Sequence, residues 1–244
     1  MILYGRNAVH EALRGRRAPR VTDVWATAPA AREPWLQAAR PRIASSEELE
    51  QRCGSAAHQG VCADAGPYDY VSGDQVLQAA EPLIVVLDQI QDPQNLGSIC
   101  RTAECAGADG VVIPERRAAE VTPAVCKASA GAVEHLSIAR VRNIADFLAD
   151  ARRGGCWCYG ASAPDPALAR GPVPYDAPDY AGSGVALVLG SEVSGLRPRV
   201  AKACDELIAL PLLGRIESLN VSAAAAALLY EILQSRSAGL DNSP

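Results

Sequence analysis

The tightest constraint on this chain is an alternation that begins at Leu83. LIVVLD (83–88) is a continuous apolar run of strand length that closes on an acid. Similar runs return at GVVI (110–113), LSIARV (136–141), CWCYG (156–160), VALVLG (185–190) and ELIAL (206–210). Runs that are apolar on both faces suit strands buried inside a parallel sheet, which needs covering helices as crossovers. The intervening segments have helical spacing. Leu96, Ile99, Cys100, Ala103 and Ala106 follow Asn95, read as an N-cap, and Gly107 is placed to stop that helix. Helices are also expected over 122–132, over 144–152, and from Leu219 to about Gln234, the last capped by Ser218 or Asn220. The expected class is α/β, a parallel sheet with helices on both faces.

The first part of the chain has a different texture. Helical spacing over 9–13, a strand over 21–26, short helices over 34–39 and 46–51, and a strand over 58–63 describe a small α/β unit of residues 1–67. Its third helix is expected to be capped by Ser46. Residues 68–81 are turn-rich and poor in large apolar side chains, as a linker would be, and 82–240 form the larger domain. A further short helix is expected in the proline- and alanine-rich stretch 161–183.

Composition excludes several classes. No apolar run reaches ~18 residues and no basic-then-apolar leader opens the chain, so a soluble cytoplasmic protein without a membrane partner is expected. Eight cysteines occur without a C-x-x-C pair, so they read as free thiols and no metal site is expected. There is neither G-x-G-x-x-G nor G-x-x-x-x-G-K-[ST], so the usual dinucleotide and triphosphate cradles are missing. The net charge of −5 hides an asymmetry. Residues 1–42 hold eight arginines against three acids, or +5, leaving −10 for the rest. A basic end on an acidic body points to a polyanion, with Arg6, Arg14, Arg16 and Arg17 as candidate contacts.

Chemistry is expected where strands hand over to helices, because ligands of open α/β sheets gather at strand carboxyl ends. Three loops stand out. Arg101 lies in the second turn of the helix after LIVVLD. Glu192 follows Gly190 in G-S-E-V-S-G-L (190–196), where glycines allow close backbone approach. Ser218 and Asn220 occupy the last strand-to-helix loop, which opens at Leu210.

These segments resemble the three motifs of the SpoU/TrmH family of RNA 2′-O-ribose methyltransferases, within the SPOUT class. The first is L-D-Q-I-Q-D-P-Q-N-L-G-S-I-C-R-T-A-E (87–104), the second V-L-G-S-E-V-S-G-L (188–196), and the third L-P-L-L-G-R-I-E-S-L-N-V-S-A-A (210–224). K-A-S-A-G-A (127–132), Y-G-R-N-A-V-H-E-A-L (4–13) and H-Q-G-V (58–61) are also similar to family segments. The resemblance implies S-adenosylmethionine as methyl donor, a C-terminal trefoil knot, a homodimer, and an N-terminal substrate-binding domain with a ribosomal-protein-L30-like fold. It implies an RNA guanosine 2′-O-methyltransferase acting on 23S rRNA, with tRNA or antibiotic-resistance methylation, or non-catalytic assembly of ribosomes, as alternatives. It implies Asn95, Arg101, Glu192, Ser218 and Asn220 as the catalytic set. Leu189, Gly190, Leu210, Leu219 and Ser222 would line the cofactor site. Within that set Arg101 is expected to clamp phosphate and developing alkoxide, oriented by Glu192.

Overall fold

Two sheets organise the chain, and the order of strands in the larger one fixes where a ligand can sit. The structure, a computed structural model, describes residues 1–163, 171–192, 194–216 and 218–241, with side chains as far as 237. The smaller sheet holds β1 (Ile2–Tyr4), β2 (Asp23–Ala26), β3 (Arg42–Ile43) and β4 (Val61–Asp64) in the order β1-β4-β2-β3. It is mixed, since β4 runs antiparallel to β1 and β2 while β3 is parallel to β2. Around it lie α1 (Arg6–Ala12), α2 (Pro34–Ala38) and α3 (Ser46–Cys53). The cap of α3 is Ser45, not Ser46: its hydroxyl accepts from Glu48 N while Glu48 reaches back to Ser45 N, a reciprocal capping box.

The stretch 68–81 is more than a spacer. It carries α4 (Gly73–Val76), and Val71 pairs with Ala139 of the large sheet. Tyr68 and Tyr70 pack against the main core, and the Tyr68 hydroxyl donates to Val133 O at 2.8 Å.

The large sheet comprises β5 (Leu83–Asp88), β6 (Gly110–Pro114), β7 (Ser137–Val141), β8 (Cys156–Ala161), β9 (Val173–Pro174), β10 (Gly184–Gly190) and β11 (Glu206–Ala209). Their order is β7-β6-β5-β10-β8-β11-β9, and all pairings are parallel. Every residue of β5 is buried, as the uninterrupted apolar run requires. Connecting helices are α5 (Pro93–Cys105), α6 (Pro123–Ala128), α7 (Ile144–Arg153), α8 (Pro198–Ala201) and α9 (Val221–Asp241). The chain leaves β5 toward β6 and β7, then crosses to the other side to build β8, β10 and β11. The reversal falls between β5 and β10, the crevice where open sheets take their ligands.

Several expectations shift by a turn. Asp92 caps α5, its carboxylate accepting from Gln94 N at 2.9 Å. Asn95 is therefore inside the first turn, which frees its side chain for other work. The expected helix 122–132 stops at Ala128 and resumes as a 3-10 turn at Ala132–Glu134. Helix α9 starts at Val221, with Asn220 Oδ1 accepting from Ser222 N at 2.9 Å, so Asn220 is the cap and Ser218 is not. The short helix expected in 161–183 falls partly outside the described residues. No helix among the described residues is long and apolar enough to cross a membrane.

The two domains meet at a small-residue contact reinforced by buried charge. Gly131 has φ 88, and a β-carbon there would lie 2.6 Å from Glu11 Cβ. Only glycine both adopts that backbone and lets α1 approach. Beside it, Arg17 and Glu134 form a buried ion pair, with Nη2 to Oε1 at 2.5 Å and Nε to Oε2 at 2.9 Å. Burial works against the Arg17 charge, and the hydrogen bond and charge of Glu134 outweigh it, leaving its pKa above the ordinary value. The sequence reading has Arg17 facing RNA; at 2 % exposure it cannot. Its guanidinium joins the domains instead.

Candidate active site

Three loops converge at the carboxyl ends of β5, β10 and β11, and one carboxylate ties them together. Glu192 Oε1 accepts from Asn95 Nδ2 at 2.9 Å, from Asn220 Nδ2 at 2.8 Å and from Val221 N at 3.4 Å. Asn220 Nδ2 also reaches Asn95 Oδ1 at 3.0 Å. Each of the three motifs thus contributes one residue to a single polar network. Asn95 is held in place by α5, whose buried face carries Leu96, Ile99, Cys100 and Ala103, and is itself buried. Glu192 and Asn220 are exposed on the solvent side of that network. Glu192 is expected from the sequence to orient Arg101; instead the carboxylate faces the two asparagines. Arg101 is exposed on α5, and among the described residues it forms no ion pair. Ser218 is exposed in the same loop as Asn220, outside the network.

The loop after β10 is held by close backbone contact. Ser191 and Gly195 exchange hydrogen bonds at 3.1 and 2.8 Å, so the chain folds back over Gly190. A β-carbon on Gly190 would lie 2.2 Å from the carbonyl carbon of Gly195, so any side chain there would force the loop open. A second anchor escapes the sequence reading. Asp88, fully buried at the end of β5, accepts from Arg197 N at 3.0 Å and Nε at 2.8 Å and pairs with Nη2 at 2.7 Å. The acid that ends the apolar run is visible in the sequence; its partner, more than a hundred residues away, has no local signal.

The loop between β11 and α9 is apolar and uncovered. Leu213 is 97 %, Ile216 76 % and Leu219 47 % exposed, whereas Leu210 is half-buried against the core. An exposed apolar run is unfavourable in water, and marks a place for an apolar-faced ligand or a partner. Leu189 is buried in the sheet and can offer a ligand only its backbone. The Ser222 hydroxyl is occupied by Asn220 Oδ1 at 2.5 Å, which stiffens the cap.

The expected polyanion contacts divide. Arg6 is half-exposed and paired with Glu33 at 3.2 Å, and Arg14 with Glu11 at 3.5 Å. Arg16 donates to Leu136 O at 3.2 Å and Ser137 Oγ at 3.0 Å, at the start of β7. Arg16 therefore sits at the amino end of the sheet, away from the three loops.

Two family models match the chain: the SpoU rRNA Methylase family over residues 82–230 and the RNA 2′-O ribose methyltransferase substrate binding domain over residues 2–71. The TrmH-family protein YacO of Bacillus subtilis is 43 % identical over 187 residues, 73 % of this chain and 71 % of its own length. The uncharacterized tRNA/rRNA methyltransferase slr0955 of Synechocystis is 39 % identical over 96 % of this chain and 62 % of its own. Among solved structures, the AdoMet-bound rRNA methyltransferase from Sinorhizobium meliloti superposes with a TM-score of 0.74 at 26 % identity, covering 96 % of this chain and 86 % of that one. The SpoU methyltransferase AviRb from Streptomyces viridochromogenes, in complex with AdoMet, shares the fold at a TM-score of 0.77 and 23 % identity, over 96 % of this chain and 89 % of that one.

Proposed function

This chain belongs to the SpoU rRNA Methylase family, and we propose that it transfers a methyl group from S-adenosylmethionine to the 2′-oxygen of a guanosine ribose in 23S rRNA. The observation that carries the reading is the network joining Asn95, Glu192 and Asn220, which brings the three motif loops to the switch point of the sheet. Two solved structures that share the fold hold AdoMet, and the residues here fit that cofactor. The tight turn over Gly190 leaves no room for a side chain there, and Leu210, Leu213, Ile216 and Leu219 offer an apolar surface for an adenine ring.

When bound, the cofactor supplies a methyl group on a sulfonium centre that departs as a neutral thioether, so no proton donor is needed. What remains for the protein is placement of the ribose oxygen and management of its proton. Positioning alone is worth up to about 7–11 kcal/mol. Asn95 and Asn220 are fixed by Glu192, and they hold the loops that would flank the ribose. Arg101 acts as a clamp on the adjacent phosphate and on the alkoxide as it forms. A guanidinium holds its proton at neutral pH and is a poor base, so we assign it this electrostatic part. Residues 1–67 serve as the RNA-binding domain, joined through 68–81 to the catalytic domain 82–240. The exposed Tyr230 of α9 suits a homodimer interface. The trefoil knot and the dimer rest on the family resemblance.

The test is methyl transfer from labelled S-adenosylmethionine to 23S rRNA fragments, with the product mapped by primer extension. Label on one guanosine 2′-oxygen is expected. Label on tRNA instead would move the substrate, and cofactor binding without transfer to any RNA would leave an assembly factor. In Arg101→Ala, turnover is expected to vanish while calorimetry still detects cofactor. Full activity in Arg101→Lys would sink the bidentate clamp.

A further inference from the structure

The arginines of the catalytic domain are distributed unevenly between the two ends of its sheet. At the amino end they are taken up by the protein. Arg152 pairs with Asp205 at 2.8 Å, Arg153 with Asp150, and Arg236 donates to the carbonyls of Glu81 at 3.2 Å and Ser183 at 2.9 Å. At the carboxyl end Arg197 and Arg199 are paired, with Asp88 and Asp146. Arg116, Arg117 and Arg142 are not: they are exposed, and among the described residues they form no ion pair.

All three lie beside the candidate active site. Arg116 and Arg117 follow β6 and Arg142 follows β7, in the sheet order β7-β6-β5. Two strand spacings bring these positions within roughly 10 Å of the end of β5. The loop that presents Arg116 and Arg117 is fastened to the site, since Ala119 N donates to Ile90 O at 2.8 Å in the loop before α5. It is braced from below by Arg140, whose Nη2 reaches Glu115 O at 3.1 Å and Glu120 Oε1 at 3.0 Å. The Arg140 guanidinium also stacks over Tyr70, 5.1 Å from the ring centroid, in a cation–π contact. Arg117 has φ 59, a left-handed conformation that is unfavourable for a non-glycine residue. The local charge is four arginines (116, 117, 140, 142) against two acids (Glu115, Glu120), or +2, on a chain whose net charge is −5.

We propose that Arg116, Arg117 and Arg142 form a phosphate track that holds the RNA backbone beside the target nucleotide, on the catalytic domain itself. It rests on the reading of the protein as an RNA methyltransferase. Three exposed, uncompensated guanidiniums next to a ribose site are suited to phosphates, which position an RNA without reading its sequence. The Arg14–Arg17 cluster is less suited. Arg16 is anchored at the start of β7, and the five residues of that strand put about 17 Å between it and the Arg142 end.

The test uses the full-length protein with a transcribed 23S rRNA fragment, comparing wild type with Arg116→Gln/Arg117→Gln/Arg142→Gln and with Arg153→Gln as the control. In the triple variant KM for RNA should rise about tenfold or more while kcat and cofactor affinity stay within about twofold. The slope of log affinity against log salt should fall by roughly 2, about 0.7 for each single-strand phosphate that no longer meets a guanidinium. Arg153→Gln should change neither. Should the triple variant unfold at lower temperature than wild type, the single Arg116→Gln and Arg142→Gln variants report the same effect, each lowering the slope by about 0.7. Unchanged KM and slope in an enzyme that still methylates would overturn the track and leave the function standing. If wild type methylates no RNA, the function falls, and direct RNA binding decides the track: weaker binding by the triple variant upholds it and equal binding overturns it.

Discussion

The two ends of the large sheet handle charge in opposite ways. At the amino end, Arg17 and Glu134 are buried together, Arg152 meets Asp205, and Arg236 is wrapped in carbonyls. Burial lowers the pKa of Arg236, the consequence of desolvating a charge that still serves to join α9 to the strands. At the carboxyl end, besides the Arg197–Asp88 and Arg199–Asp146 pairs, polar groups stay reachable: Glu192 and Asn220 are exposed, and so are Arg101, Arg116, Arg117 and Arg142, which form no ion pair among the described residues. One end uses its charges for cohesion. The other leaves several of them exposed and, among the described residues, unpaired.

The largest expected effect breaks the cohesive end. Glu134→Ala leaves a buried guanidinium without its partner and should destabilise the protein by about 3–5 kcal/mol in urea unfolding. Replacing both residues, Arg17→Met with Glu134→Leu, should restore most of that, since a buried pair is seldom better than a packed apolar one. A small loss in Glu134→Ala would mean that the remaining contacts, among them Gly131, Tyr68 and the Arg16 bonds to Leu136 and Ser137, suffice to join the domains.

Glu192→Ala applies the same operation to the open end. Stability should change by less than about 1 kcal/mol, because the carboxylate is exposed. Methyl transfer should drop about a hundredfold, or ~2.7 kcal/mol, as Asn95 and Asn220 lose their common acceptor. Equal losses of stability and activity would erase the distinction between the two ends.

How much of this is legible in the sequence follows from the range of the signals. β5 is readable to the residue, because a strand buried on both faces must be apolar at every position. The cap of α5 is Asp92 where the sequence suggests Asn95, since both are good capping residues and only the turn containing Pro93 separates them. β1, β3 and α8 leave no trace; each is four residues or fewer and carries no period to detect. The residues proposed for the site, Asn95, Glu192 and Asn220, are picked out by motif resemblance, but their mutual hydrogen bonds are not legible in the sequence. Arg17 shows the limit most plainly. Its place in a run of arginines suggests a polyanion, and only the fold reveals that Glu134, distant in sequence, is its partner.

A subtler prediction concerns the core between the two ends. Burial pushes the thiols of Cys100 and Cys126 up to about 12. The folded state therefore keeps these protons when the unfolded chain, with thiols near 9, gives them up. Their contribution to stability is complete below about pH 9 and is lost as pH rises toward 12. Equilibrium unfolding should be flat in these groups at about pH 7–8 and then weaken by about 1.4 kcal/mol per pH unit for each thiol. Cys100→Ala should lower that alkaline slope by one thiol's share, about 1.4 kcal/mol per pH unit. The smallest effect is at the surface of the cohesive end, where Arg153→Gln should leave stability within about 0.5 kcal/mol.

The central claim is that the carboxyl end of the sheet is where this protein does its chemistry, and hydrogen exchange with and without S-adenosylmethionine tests it directly. Slower exchange is expected in the loops that follow β5, β10 and β11, with no change around Arg16, Arg17 and Val133–Ser137. Protection centred on the Arg17–Glu134 junction, with the three loops unaffected, would contradict it.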